Sequence, residues 1–522
     1  MGTIRWALVC VVCVSCAEDQ NPVSVRVIDA CSAAHPLVPL ANTIEISVKG
    51  GPNGLTTASF SHAAGSGNVN VVPGGDLSVI TVLGHGLPRP GETQAETVFA
   101  MGIGGIDLFE SEGKQIGVVV GAPDAFVQST YATEQVGLCS YMGEQRRALS
   151  GAMMQDGRVL LVGGEQRNPT SVQVWDSTEI FDPRTGAFTA GPALRWARRN
   201  HTVTTSSSGL VVIAGGQGRL NGSADGLLET WRTASVYDPV RNSFVGDGIA
   251  MVEQRANHTA TVMRGDRVII IGGNVGDTIH ASTEIINLRT GRSKAGPTLS
   301  VARTYHTAVA VGDGLIAVIG GQSAEGPVDS IEFIVIEEVR NEGVTQEVIR
   351  VVDGPKLQHA RTAPAAVFDA SKSVLLIAGG FTESLPLNGN IPDRVLAVSA
   401  HVDVVLTNAQ SPALSRSVCS ETPLERGRAW AGVVPVAGGM VLAGGLGSSG
   451  EALGDAVHLS VSDLARCTLD IRASKGSLVQ KRIAPAVVVL GDGDVFLAGG
   501  VGEDIARNRV TLDTAEIYIR AR

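Results

Sequence analysis

The sequence predicts an all-β protein: a closed ring of seven four-stranded sheets, a seven-bladed β-propeller over residues 126–522, preceded by an immunoglobulin-like β-sandwich over 17–125. Three observations predict it. Glycine supplies 64 of 522 residues, well above the usual roughly 7%. An apolar run ending in Gly-Gly recurs seven times, closing on Gly163-Gly164, Gly215-Gly216, Gly272-Gly273, Gly320-Gly321, Gly379-Gly380, Gly444-Gly445 and Gly499-Gly500. A period of about 50 residues indicates a repeat architecture. The runs themselves are continuous rather than alternating, as strands buried on both faces read.

The glycines follow no G-X-Y period, so collagen is excluded, and a hydrophobic fraction of 44% excludes general disorder. Helix interiors disfavour glycine by about 1 kcal/mol against alanine. A large β protein with many tight turns remains. The net charge of −10 argues against nucleic acid and against simple adhesion to anionic lipid, both of which need a basic face.

The chain opens MGTIRWALVCVVCVSCAEDQ. Arg5 precedes an apolar run from Trp6 to Val14, and small Ser15 precedes Cys16. This reads as a signal peptide over 1–16, too short to span a bilayer. The segment Cys13-Val14-Ser15-Cys16 resembles a bacterial lipobox, with Cys13 where that family has Leu or Val. The resemblance implies cleavage before Cys16, a diacylglycerol on its thiol and a membrane attachment through that lipid. The expected location is the outer membrane or cell surface, or the periplasm if the signal is an ordinary one. Cys10 and Cys13 leave with the signal. Cys31, Cys139, Cys419 and Cys467 remain, an even number consistent with two disulfides in an exported chain. Proximity favours Cys419–Cys467 and Cys31–Cys139, but all three connectivities stay open. These four have no CxxC spacing among them that would suggest zinc.

Residues 17–125 lack the repeat. Short β-like runs begin at Val23, Thr43, Asn68, Leu77, Glu96 and Ile116, separated by Gly, Pro and Asn clusters. Such spacing suits a sandwich, here a spacer between lipid and ring.

The ring unit is clearest in RRNHTVTTSSSGLVVIAGG from Arg198, RANHTATVMRGDRVIIIGG from Arg255 and RTYHTAVAVGDGLIAVIGG from Arg303. In all three the arginine stands at one constant distance before its Gly pair. The histidine, His201, His258 or His306, stands at another. The intervals between pairs are widest from Gly320 to Gly379 and from Gly379 to Gly444. A polar loop follows each pair, then a third strand such as STEIFDPRTGAF at Ser177 or ASVYDPVRNSF at Ala234. Its Asp-Pro turn leads tightly into a short fourth strand. A lone four-stranded sheet leaves two apolar faces bare, and radial packing in a closed ring covers them.

This pattern resembles the kelch repeat: a double glycine after a hydrophobic strand, then a Tyr-Asp-Pro-like third strand. The resemblance implies seven blades, with the first strand of each lining a central channel. Kelch units usually carry Trp on the fourth strand, and here Phe188 and Phe244 replace it in two units. The last unit stops at its third strand, so its fourth must come from elsewhere. The stretch 131–142 is the expected donor.

By the same resemblance, the repeated Arg and His positions ring one channel mouth: Arg146, Arg198, His201, Arg255, His258, Arg303, His306, Arg361 and Arg482. In the other units the His position becomes Leu149, Pro364, Trp430 and Pro485. Converging Arg and His suit a carboxylate, a sulfate or an acidic sugar. The alternative is that they staple neighbouring blades through loop carbonyls, which recurrence in every unit favours. Galactose-oxidase-type copper enzymes share the kelch propeller but need Tyr and His ligands and a Tyr–Cys cross-link. Only Tyr305 of five tyrosines adjoins a repeat His, so no metal and no cofactor are expected. Arg264-Gly265-Asp266 and the Asp492/Asp494 pair read as turns rather than adhesion or calcium sites. No phosphate-loop, nucleophile-elbow or HExxH motif occurs.

The function expected is a monomeric, lipid-anchored envelope scaffold that binds a protein or glycan through one propeller face. The loops after Gly164, Gly216, Gly380 and Gly445 are read as the longest and most divergent and are the expected binding loops. The alternative is an enzyme acting on a sugar or acidic sugar, mutarotase-, epimerase- or oxidase-like, at the channel mouth.

Overall fold

The structure, a computed structural model, describes residues 124–520 apart from 133–136, 169–170, 220–227, 313, 342–343, 389–394, 410, 420–422, 467, 475 and 492, together with the backbone of seven strands between 21 and 120. Seven antiparallel units form the blades, each of four strands except the second, in which Ile249–Ala250 also pairs with the third strand as a short fifth. Their inner strands are Ser150–Met153, Thr202–Thr205, Thr259–Met263, Thr307–Ala310, Ala365–Asp369, Gly432–Val436 and Ala486–Val489. These define blades one to seven, and each inner strand packs beside the next in a closed circuit.

Blade three shows why the sequence folds this way. Its strands are Thr259–Met263, Arg267–Ile271, Thr283–Asn287 and Arg292–Ala295. The second carries Val268, Ile269, Ile270 and Ile271, all fully buried. Val268 and Ile270 pack on Val212 and Ala214 of blade two, whereas Ile269 and Ile271 pack on Ile316 and Val318 of blade four. Alternate side chains point to opposite neighbours, so both parities must be apolar. Burying each side chain contributes about 1.5–3 kcal/mol. That is the physical origin of the unbroken apolar runs.

Each run ends in a glycine pair for a steric reason. The first glycine of a pair has φ between +55° and +63°, and the second between +91° and +103°. A Cβ on the first would sit 2.3–2.7 Å from the backbone oxygen of the next blade's arginine. Only glycine fits both the conformation and the approach.

Blade seven is completed by Ala125–Gln128, which pairs antiparallel with Ala515–Ile519. The ring therefore closes with an N-terminal strand, as expected, but one upstream of the expected donor. Within 131–142 the chain instead forms a local hairpin, Thr130–Ala132 with Gly137–Cys139. The two widest intervals also find their cause. Blade four has an extended outer hairpin, Ser330–Asn341 with Val344–Lys356. Blade five has a long excursion over 381–401 between its second and third strands. The loop after Gly445 spans only 446–455, so it is not among the longest.

Upstream, Leu55–Ser61, Thr43–Lys49, Ser78–His85 and Val98–Ile106 form one sheet in that order. Ser66–Val71, Asn21–Asp29 and Gln115–Val120 form another, its last pair parallel. How these two sheets face each other lies outside the described residues.

Candidate functional site at the ring mouth

The repeated arginines form the frame rather than the rim. Arg146, Arg198, Arg255, Arg303, Arg361, Arg428 and Arg482 are at most 1% exposed. Each Nη1 donates to the carbonyl of the first glycine in its own blade's pair, at 2.7–3.3 Å. Each arginine's own carbonyl accepts the N–H of the second glycine of the preceding blade, and Gly500 to Arg146 closes the circuit. A third-strand carboxylate balances most of them: Glu179, Glu284, Glu332, Asp403 and Glu516. Blade six uses Asp455. Blade two has Ser235 at that register, opposite Ile213, and Nη2 of Arg198 reaches only its hydroxyl, at 3.4 Å. Burial lowers the Arg198 pKa to about 10.

Arg428 belongs to this set although the sequence reading misses it, because its spacing to Gly444 falls one position short of the usual one. That slip also shifts the register of blade six. Ala431, against the second glycine Gly445, occupies the His position. Trp430 belongs one place earlier, with the left-handed residues described below.

The histidines are frame as well. His201, His258 and His306 are 3–5% exposed. His258 Nε2 meets the Thr202 hydroxyl of the preceding blade at 3.0 Å, and His306 Nε2 meets that of Thr259 at 2.8 Å. Burial, helped by the adjacent arginines, depresses His201 and His306 to about 3. His258 is pushed well below the ordinary value by the same causes. All three are neutral; His258 and His306 join neighbouring blades, as the arginines do, whereas neither ring nitrogen of the buried His201 has a hydrogen-bond partner among the described residues.

The mouth is instead built by two other repeat positions. One is a left-handed residue two places after each arginine: Ala148, Asn200, Asn257 and Tyr305, then Ala363, Trp430 and Ala484, all with φ near +50°. These residues chain around the channel, Asn200 N–H to Ala148, Asn257 to Asn200, Tyr305 to Asn257 and Ala363 to Tyr305. The other follows each glycine pair: Glu165, Gln217, Asn274 and Gln322, then Phe381, Leu446 and Val501. Blades one to four thus present a polar crescent and blades five to seven an apolar one. Phe381, Leu446, Ile483 and Val501 cluster there with Leu385 and Leu396, and Trp430 packs on them. At the polar end Glu165 sits between Arg147 and Arg199, with Arg167 3.8 Å away.

The blade-five excursion crosses this mouth. Gln322 brackets Leu385, donating to its carbonyl at 3.0 Å and accepting its N–H at 2.6 Å. The Tyr305 hydroxyl donates to the Pro386 carbonyl at 2.8 Å. Asn274 and Asn257 donate to the Leu387 carbonyl at 3.0 and 3.3 Å. Arg199 donates to the Asn388 carbonyl at 2.8 Å. Four consecutive carbonyls are gripped by side chains of blades two to four. Asn257, Tyr305 and Trp430 also line a cavity of about 290 Å³ within the ring, with His258, His306 and Arg428 in its wall.

A galactose-oxidase-type copper site does not fit these residues. Tyr305 is turned to Pro386 and His306 to blade three. Among the described residues no three His, Cys, Asp or Glu side chains are grouped to hold a metal. Arg264-Gly265-Asp266 is a turn in which the Asp266 carboxylate accepts from Ser207 and Ser208 of blade two. Cys139 is not a free thiol. Cys16, Cys31 and Cys467, and the side chain of Cys419, lie outside the described residues.

No family model matches this chain, and no curated protein matches it. Solved structures do. One, titled as the structure of YjhT, is 14% identical with a TM-score of 0.45 and covers 64% of this chain and 99% of its own. Another, titled as a novel fungal alcohol oxidase of the AA5 family in complex with copper, is 11% identical with a TM-score of 0.44 and covers 85% of this chain and 72% of its own. By the glycine pairs, strand order and ring closure of its own blades, the chain folds as a seven-bladed β-propeller.

Proposed function

We propose that this protein is a non-enzymatic binding scaffold at the cell envelope, exported and anchored through lipid on Cys16. It recognises a protein partner through the mouth of its propeller. One observation carries the reading: donors from three blades converge on consecutive main-chain carbonyls at the mouth. Reading carbonyls while apolar pockets take alternate side chains is how extended polypeptides are recognised. The polar and apolar crescents supply both halves. An aromatic content of only 4% favours a polypeptide over a stacked sugar.

The test presents immobilised acetylated peptides and a glycan panel to the full chain and to an Asn257→Ala/Asn274→Ala variant. Binding of extended peptides, weakened at least tenfold in a variant with unchanged melting, is the expected result. Binding confined to glycans, or turnover of a sugar, overturns the reading. For the anchor, Cys16→Ser is expected to move the protein from the membrane to the soluble fraction, and a variant that stays with the membrane rules the anchor out.

A further inference from the structure

The segment Leu385–Asn388 is held unlike any other part of the ring. Backbone ladders build each blade, and an arginine relay repeated in all seven units joins one blade to the next. This segment comes from one blade, crosses to three others, and reaches partners 63 to 189 residues away in sequence. Among the described residues, Leu385, Pro386 and Leu387 make no backbone–backbone hydrogen bond. The polar fastening is a row of side-chain donors. Pro386 presents a carbonyl and no N–H, and Tyr305 takes that carbonyl. Leu385, 4% exposed, fills the apolar crescent beside Phe381 and Leu446.

A loop usually satisfies its carbonyls by its own turns or with water. Here the ring supplies, at its variable positions, a set of donors to four successive carbonyls of a segment that is irregular at 384–386 and turns at Leu387 and Asn388. Resting on the reading above, we infer that Leu385–Asn388 is an internal ligand. It occupies the polypeptide site in cis and must leave when a partner segment binds. The partner is a polypeptide segment able to take the same path, with an apolar side chain for the Phe381–Leu446 crescent and successive carbonyls for Gln322, Tyr305, Asn274 and Arg199. Side-chain fastening makes the exchange feasible, because no sheet need be unzipped to release the strap. It also sets a threshold, since a partner must outcompete a tethered segment at high effective concentration.

The experiment uses the full chain and the acetylated, amidated peptide Glu-Ser-Leu-Pro-Leu-Asn, the sequence of 383–388, with binding followed by fluorescence anisotropy. Two variants release the strap without touching a donor: Leu385→Ala, and replacement of 383–388 by a Gly/Ser segment of equal length. Hydrogen exchange at 383–388 reports release in the first, and the melting temperature reports folding in both. The expected result is peptide binding at least tenfold tighter in both variants than in the unmodified chain, lost again on adding Gln322→Ala. If folded variants bind the peptide no tighter than the unmodified chain, the strap is a wall and the inference is overturned. Should the unmodified chain still bind array peptides in that case, the scaffold reading survives. If neither form binds any peptide, both fall.

Discussion

At the scale of single residues, the frame is an electrostatic arrangement with one visible exception. Most buried guanidiniums face a carboxylate, and Arg198 does not. The guanidinium's desolvation is already incurred, and because Ser235 is only half-buried the added carboxylate's own desolvation is smaller than the attraction it gains. Ser235→Glu is expected to raise stability by about 1–2 kcal/mol, read as a higher urea midpoint; an unchanged or lower midpoint would refute the pairing argument. The buried histidines set a pH dependence. Unfolding releases them to a pKa near 6.5, whereas His201 and His306 stay neutral in the fold until about pH 3. The unfolded state therefore binds more protons between those values. Their contribution is fully present above about pH 6.5 and declines as pH falls toward 3, by up to about 1.4 kcal/mol per pH unit for each histidine. Urea midpoints from pH 7.5 to 4.5 should fall, and less steeply in His306→Gln. Equal slopes in the two proteins would mean that His306 is not held neutral.

At the scale of the element, the glycine pair is the joint between blades. Gly272 and Gly291 share nearly the same left-handed φ, +58° and +63°. A Cβ on Gly291 meets nothing within 4 Å, whereas one on Gly272 meets the Arg303 carbonyl at 2.4 Å. Gly291→Ala is expected to cost about 1–2 kcal/mol. Gly272→Ala should cost at least about 3 kcal/mol, because strain is added to the loss of the joint. Thermal melts of the two decide it, and equal losses would mean that conformation alone demands the pair. The joint was legible in the sequence because it recurs: an arginine at a nearly fixed distance ahead of two glycines, unit after unit. Arg428 escaped because its own distance is shortened. The mouth escaped for a deeper reason. Asn257, Tyr305 and Trp430 share one position but no chemistry, so a repeat search averages them away. The grip on Leu385–Asn388 joins residues with no periodic relation.

At the scale of the whole molecule, closure is a single strand. Phe126, 6% exposed, packs at a tilt on Tyr518 with ring centroids 4.9 Å apart and seats Ala125–Gln128 against the last unit. Phe126→Ala is expected to cost about 3–5 kcal/mol. Hydrogen exchange should quicken first at Ala515–Ile519, before the other blades open. Uniform quickening around the ring would show that blade seven is not its weak point. Closure was partly legible, since a unit ending after its third strand demands a donor. The donor's identity was not, because the stretch 131–142 and Ala125–Gln128 are both short and β-like, and only pairing distinguishes them.

The arginine relay also bears on the history of the molecule. Every junction uses the same two partners, a glycine N–H on one side and an arginine carbonyl on the other. Any unit can therefore dock with any other, and a copy arising by gene duplication would join the circle without inventing a new junction. The blades are interchangeable parts. Such standardisation leaves the residues around the opening free to diverge, so that recognition can change without the wheel being rebuilt.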